Sequence, residues 1–329
     1  MKVHNLSIDS NQRDSTLYPN ANNYVINLEN PIYDVEEIRL VSAHIPTPQL
    51  LICDTNRSFN IDNITITLDT GNYTITQLRN ALNDKLSVTS LSDLNVTSDS
   101  SNQTLTFTKT PSNGTSNVFK FDTGLNGYSD TGSSFTTPHQ VLGFGSHDYT
   151  FTDTITSGFV NTGGVKSLVL KLTSGSDEFN QSVYLGVPKD SLQKGTPHFT
   201  GHILLNGETS LIYNGSDDPL VHRFHSGSQK SIRDLKIEFF YMSHGRLIPY
   251  DFRNQEHIIK LEVTCSTDKL ENLKVDQPEE AEEAKPYISI PEISDVYEWK
   301  NEYTYILAIL LFGLVLMMLM KGKPKPISG

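Results

Sequence analysis

Between Tyr305 and Met320 the chain carries no charged residue, and ten of those positions are Leu, Ile, Val or Phe. At roughly −0.3 to −0.6 kcal/mol each, these ten favour insertion into a bilayer by about 3–6 kcal/mol. The run is apolar all round, whereas a helix packed into a protein core normally keeps a polar face. It predicts a membrane helix over residues 301–321, with Tyr305, Ile306, Leu307, Leu310, Leu311, Phe312, Leu314, Leu316 and Leu319 as the anchor. The run alone rises about 24 Å, short of a hydrocarbon core of about 30 Å. Thr304 and Tyr303 lengthen it, and Lys321 can snorkel to the surface. The flanks match a membrane interface: Trp299 and Tyr303 form an aromatic side, and Lys321, Lys323 and Lys325 form a basic side.

Everything before this helix is then a body held against a membrane. Residues 1–267 read as the body, with an optional subdomain boundary near 145–165. Residues 268–300 read as an acidic, Pro-containing stalk and 322–329 as a basic tail. The formal charge of −12 argues against sequence-independent nucleic-acid binding by the body. Two distant cysteines, Cys53 and Cys265, make no disulfide framework and suit a reducing compartment. The N-terminal stretch Met1-Lys-Val-His-Asn-Leu has no apolar core of a secretory signal. A late span without a signal predicts a tail-anchored protein with a cytosolic body. The Asn-x-Ser/Thr triplets at Asn63, Asn72, Asn113 and Asn214 then arise by chance in an Asn- and Thr-rich chain.

Along the body, short alternating runs separated by Gly, Asn and Pro turns predict strands. Tyr24 to Leu28 is one, ended by Asn30-Pro31, and Val35 to Ile45 is another, stopped by Pro46. Thr74 with Gln77 makes a capping box, followed by Ile75, Leu78, Leu82 and Leu86 at helical spacing. Leu94–Thr97 and Thr104–Thr108 predict a hairpin, and residues 124–137 a Gly/Ser/Thr loop. Ser167–Leu172, Ser182–Val187, His202–Leu205, Leu211–Tyr213, Leu220–Phe224, Leu235–Tyr241 and His257–Val263 continue the series. The fold class is all-β: a jelly-roll-like sandwich with one short helix, plus the C-terminal membrane helix.

No reaction centre emerges. His222 and His225 fall on opposite faces of a strand, and Gly201 opposes a helix that would bring His198 and His202 together. Gly143-Phe-Gly145 lacks the third glycine of a dinucleotide loop. Asp217-Asp218 sits beside Asn214-Gly and Pro219, the composition of a turn. The expectation is a protein that is not an enzyme, with no catalytic residue, metal, cofactor or small-molecule substrate.

An ordered series of motifs resembles the minor capsid proteins of nucleocytoplasmic large DNA viruses, including those of algae and amoebae. The series is Ile8-Asp-Ser-Asn-Gln-Arg-Asp14, Tyr18-Pro-Asn, Tyr24-Val-Ile-Asn-Leu, Pro31-Ile, and Val35 through Pro46. It continues with Gly71-Asn-Tyr-Thr74 before the helix, Leu142-Gly-Phe144, Ile232 to Tyr241, Gly245, Asp251-Phe252 and His257 to Val263. The resemblance covers residues 6–265. It implies a jelly-roll-like fold beneath the major capsid shell, scaffold roles for Arg13 and Asp14 in a turn, and strand ends at Pro31 and Pro46. With the apolar terminus it implies a structural virion protein lying between the outer shell and the inner membrane. Its partners would be the major capsid protein, other minor capsid proteins and the lipid bilayer, with no specific nucleic acid. Two rival readings are a receptor-binding virion surface protein and a tail-anchored carbohydrate-active enzyme. The first needs a signal peptide; the second needs a carboxylate pair in a cleft.

Overall fold

The computed structural model describes residues 2–110, 114–130, 132–174, 177–178, 201–224, 230–266 and 300–320. It divides into two compact units, residues 1–268 and 269–329. In chain order the elements of the first unit begin with β1 (Lys2–Asp9), β2 (Asn23–Pro46), β3 (Ser58–Ile61), β4 (Ile64–Thr67) and α1 (Ile75–Ser87). Next come β5 (Leu94–Asp99), β6 (Thr104–Lys109), β7 (Asn117–Lys120), α2 (His139–Leu142), β8 (Tyr149–Phe151) and β9 (Thr154–Thr156). The last group is β10 (Ser167–Ser174), β11 (Asp177–Glu178), β12 (Gly201–Leu204), β13 (Ser210–Asn214), β14 (Leu220–Arg223), β15 (Lys230–Ser243), β16 (Arg246–Pro249) and β17 (Ile258–Cys265). The described part of the second unit is α3 (Lys300–Met320). The expected strand at Ser182–Val187 and the stalk lie outside the described residues.

β2 organises the larger sheet. Its residues 23–35 pair with β15. Its residues 35–46 pair with β17 on one side and with β13 and β14 on the other. Between the halves Asp34 takes a left-handed φ of 58°, a conformation Asp tolerates better than most residues. Register shifts at Ile232 and Cys265 fall around the same corner, so the strand bends from one layer into the other. Pro31 was expected to end a strand. Instead β2 runs through it, because Pro31 sits where β2 has extra residues against β15 and its missing N–H removes no regular ladder bond. Pro46 ends the strand as expected.

Counting the halves of β2 separately gives eight sandwich strands: β1, the two halves of β2, β10, β12, β13 with β14, β15 and β17. Numbered in that order, one layer reads 1-8-3-6 and the other 2-7-4-5. All its ladders are antiparallel, and the order is that of a jelly roll. Between the layers, Ile38, Leu40, Leu261 and Val263 meet Leu168, Leu170, Ile237 and Phe239, all buried.

A second core is nested between β2 and β10. It holds buried residues from Leu51 to Val160 and is a separate apolar cluster. α1 forms as its sequence predicts. Thr74 Oγ1 accepts from Gln77 N–H, Gln77 Oε1 accepts from Thr74 N–H, and Ile75, Leu78, Leu82 and Leu86 are all buried. Asn83 on this helix closes the β5 edge by donating to the Val96 carbonyl and accepting from its N–H, at 2.9 and 2.8 Å. Phe119 stands at the centre, with ring centroids 4.9 Å from Phe107, 5.0 Å from Phe151 and 5.5 Å from Phe144. Gly143, at φ 80°, ends α2 where a Cβ would meet the Gly158 carbonyl oxygen at 2.6 Å.

Phe119→Ala is expected to cost about 3–5 kcal/mol by leaving a cavity among these rings. Urea unfolding with a fluorescence readout measures the loss, and a change below about 1 kcal/mol contradicts a rigid nested core.

Candidate functional site

The junction of the two cores is polar. The β15–β16 turn reaches into the loop at residues 124–137. There Arg246 donates through Nη1 to the carbonyls of Phe135 (2.6 Å) and Asn126 (3.2 Å), and through Nη2 to those of Asp130 (2.6 Å) and Gly127 (2.9 Å). The guanidinium also lies over the Tyr128 ring, 4.7 Å from its centroid, in cation–π contact. Four backbone carbonyls thus satisfy a buried cation in place of a carboxylate. Tyr128 Oη and Ser243 Oγ share a hydrogen bond of 2.6 Å, and Thr55 Oγ1 meets Tyr241 Oη at 3.2 Å. His139 Nε2 and His244 Nδ1 lie 2.9 Å apart. Beside this junction a cleft of about 470 Å³ is lined by Leu51, Val141, Phe144, Phe159 and Tyr241, among others. Among the described residues its lining holds no Asp, Glu, His or Cys.

The N-terminal signature is scaffold. Arg13 donates to the carbonyls of Ser10 (2.8 Å), Tyr18 (2.9 Å) and Pro19 (3.2 Å), and pairs with Glu256 at 2.5 Å. Asp14 Oδ1 accepts from the N–H groups of Thr16 and Leu17. Next to this knot His257 is fully buried, with Nε2 3.0 Å from Tyr24 Oη. Among the described residues its Nδ1 has no hydrogen-bond partner.

Burial holds His257 down to about 3, with Arg13 adding to the push. Burial likewise holds His139 down to about 3, reinforced by His244 and Arg246.

The other sequence candidates resolve simply. His202 lies on a strand, β12, and His222 is buried on β14. His198 and His225 lie outside the described residues. Asp217 belongs to a turn, its N–H donating to the Asn214 carbonyl at 3.1 Å. Among the described residues no group of three or more His, Cys, Asp or Glu is placed to hold a metal ion.

Of the anchor residues, Ile306, Leu307, Leu310, Leu311, Phe312, Leu314 and Leu316 lie on α3 and are exposed. Tyr303, Tyr305 and Leu319 belong to the same helix, but their side chains are outside the described set. Trp299, Lys321, Lys323 and Lys325 lie outside the described residues altogether. Among the described residues no helix is both long and apolar enough to cross a membrane. The described side chains of α3, residues 306–317, cover a rise of only about 18 Å.

Fold and junction together define an all-β jelly-roll protein with a second domain nested between its third and fourth strands. The chain belongs to a family of unknown function (DUF5901), whose model matches residues 3–215. No curated protein matches it. Among solved structures it is similar to a mavirus penton protein at 13% identity, covering 80% of this chain and 99% of that one, with a TM-score of 0.37. It is also similar to a chain of the Sputnik virophage at 11% identity, covering 80% and 98%, with a TM-score of 0.33. The topology stands on the strand pairing itself.

Two outcomes are expected. Arg246→Lys keeps the charge but cannot span four carbonyls; it should cost about 2–4 kcal/mol in urea unfolding and speed proteolysis within residues 124–137. The two imidazoles make the fold acid-labile. Their folded values lie below the ordinary 6.5, so their contribution is complete above about pH 6.5 and is lost as pH falls toward 3. His257→Gln should flatten the stability profile in that window, measured as thermal midpoint against pH.

Proposed function

We propose that this protein is a structural minor capsid protein that packs under a major capsid shell and tethers it to an internal viral membrane. The observation that carries the reading is α3. Every side chain described on it, from Ile306 to Met317, is exposed, and none is charged or polar. A helix of that kind needs apolar surroundings on every side. The uncharged part of α3, Tyr305–Met320, rises about 24 Å, and Tyr303 with Thr304 lengthens it toward a hydrocarbon core of about 30 Å.

The body supports a structural role. Jelly rolls serve in capsids, lectins and cupins. Fold alone does not choose among them, but the motif series that resembles minor capsid proteins runs through this body from Ile8 to Val263. Several of its members act as scaffold: Arg13 and Asp14 tie the first loop, Thr74 caps α1, and Gly143 ends α2. On this reading the protein performs no chemistry. Its work is to hold two layers at a fixed separation, and the membrane helix raises its effective concentration at the bilayer.

The test is partition. The full-length chain should stay with membranes after alkaline extraction. Leu311→Arg with Leu314→Arg should release it, since each Arg costs about 2.5–3.5 kcal/mol at the centre of a span. A full-length chain found in the soluble fraction, or purified virions lacking it, would sink the tether.

A further inference from the structure

β1 is the outer strand of its layer, and among the described residues its ladder is with β17 alone. That ladder runs from Lys2 opposite Cys265 to Asp9 opposite Ile258 without a register shift. One position further on, Ser10 N–H donates to the His257 carbonyl at 3.0 Å. This sets the phase of the strand. Even-numbered residues turn their backbone groups toward β17, so Val3, Asn5, Ser7 and Asp9 turn their N–H and C=O groups outward.

Natural proteins blunt such an edge with a proline, a bulge, a covering segment or charge along its length. β1 has no proline and no bulge, and its two charges, Lys2 and Asp9, stand at the ends. Val3, Asn5 and Ser7 are exposed. On the inward face, Leu6 packs against the core yet is only partly buried.

We propose that β1 pairs antiparallel with β1 of a second copy of this chain, about a twofold axis normal to the sheet. The strand is complementary to itself in that arrangement. Opposed residues share a face, and outward backbone groups must meet outward backbone groups, so odd positions pair with odd. The register that sets Leu6 opposite the partner's Leu6 meets both conditions. Val3 then faces the partner's Asp9, Asn5 faces the partner's Ser7, and each of these pairs exchanges two hydrogen bonds. His4 falls beside the partner's Ile8, and the two leucines close the open end of the core. Each Lys2 lies at the Asp9 end of its partner, and no like charges are opposed. The inference is independent of the membrane reading.

The experiment uses the full-length chain in detergent micelles, sized by light scattering over a range of concentrations. The wild type should dimerise. Asn5→Pro removes an outward N–H and no bond to β17; it should weaken the dimer by about tenfold or more and leave the thermal midpoint in place. Leu6→Cys should cross-link to itself on mild oxidation, because opposed residues at a non-hydrogen-bonded site come closest. Cys53 and Cys265 are buried and give no background. A monomeric wild type overturns the proposal, as does a dimer that Asn5→Pro leaves unchanged. If Leu6→Cys fails to cross-link while Asn5→Pro abolishes incorporation into particles, the edge holds a different chain and self-pairing is wrong.

Discussion

The bend in β2 is the constraint on which the jelly roll depends. One 24-residue strand supplies an inner strand of one layer and the edge strand of the other, so the two layers are joined through continuous backbone at Asp34 as well as by side-chain packing. Every other pairing of the sandwich is set relative to it: β15 takes its register from residues 23–35, and β17, β13 and β14 take theirs from residues 35–46. A slip by one residue in β2 would turn Ile38 and Leu40 out of the core and Glu37 and Arg39 into it. The β17 ladder adds a bulge near Val41, between Lys260 and Leu261, which restores the inward phase for Ala43 and Ile45, both buried.

The nested domain leaves this frame at Pro46 and returns at Ser167, and it carries its own apolar centre. Its attachment therefore cannot rely on one shared core. Directional groups do the joining: the guanidinium of Arg246 on four carbonyls, the Tyr128–Ser243 and Thr55–Tyr241 hydrogen bonds, and the His139–His244 contact. An apolar interface tolerates sliding, whereas carbonyls at 2.6–3.2 Å from one planar cation do not. The junction thus sets an orientation as well as adding stability. That property suits the spacing role proposed above.

Local features were legible in the sequence because local forces determine them. α1 follows from a capping box and a stripe of one isoleucine and three leucines, and the β5–β6 hairpin from alternation around a polar turn. Asp14, given a turn role only by the family resemblance, accepts from the Thr16 and Leu17 N–H groups. The long-range features had no such signal. Glu256 finds Arg13 across 243 positions. The partners of Arg246 are backbone carbonyls, which every sequence has, so nothing in the pattern marks them. Pro31 misled because a proline normally ends a ladder; only the surplus of residues in β2 against β15 shows that no ladder bond was at stake. The nesting of one core inside the other was equally hidden, since alternation shows which face of a strand is buried but not in which core.

The apolar terminus poses the opposite problem: its chemistry is plain and its setting must be argued. A helix with a single apolar stripe is satisfied by packing on one neighbour. α3 has no polar side from Ile306 to Met317, and Leu310, Leu311, Phe312 and Leu314 point in successive directions around it, all exposed. One neighbouring surface would cover a part of that circumference and leave the remainder in water, at roughly 25 cal/mol for each Å² uncovered. A bilayer covers all of it at once. On the proposed reading the two halves of the protein therefore divide the work by physics. The jelly roll holds position through directional hydrogen bonds that need exact partners, and α3 holds the membrane through a non-directional effect that needs only lipid.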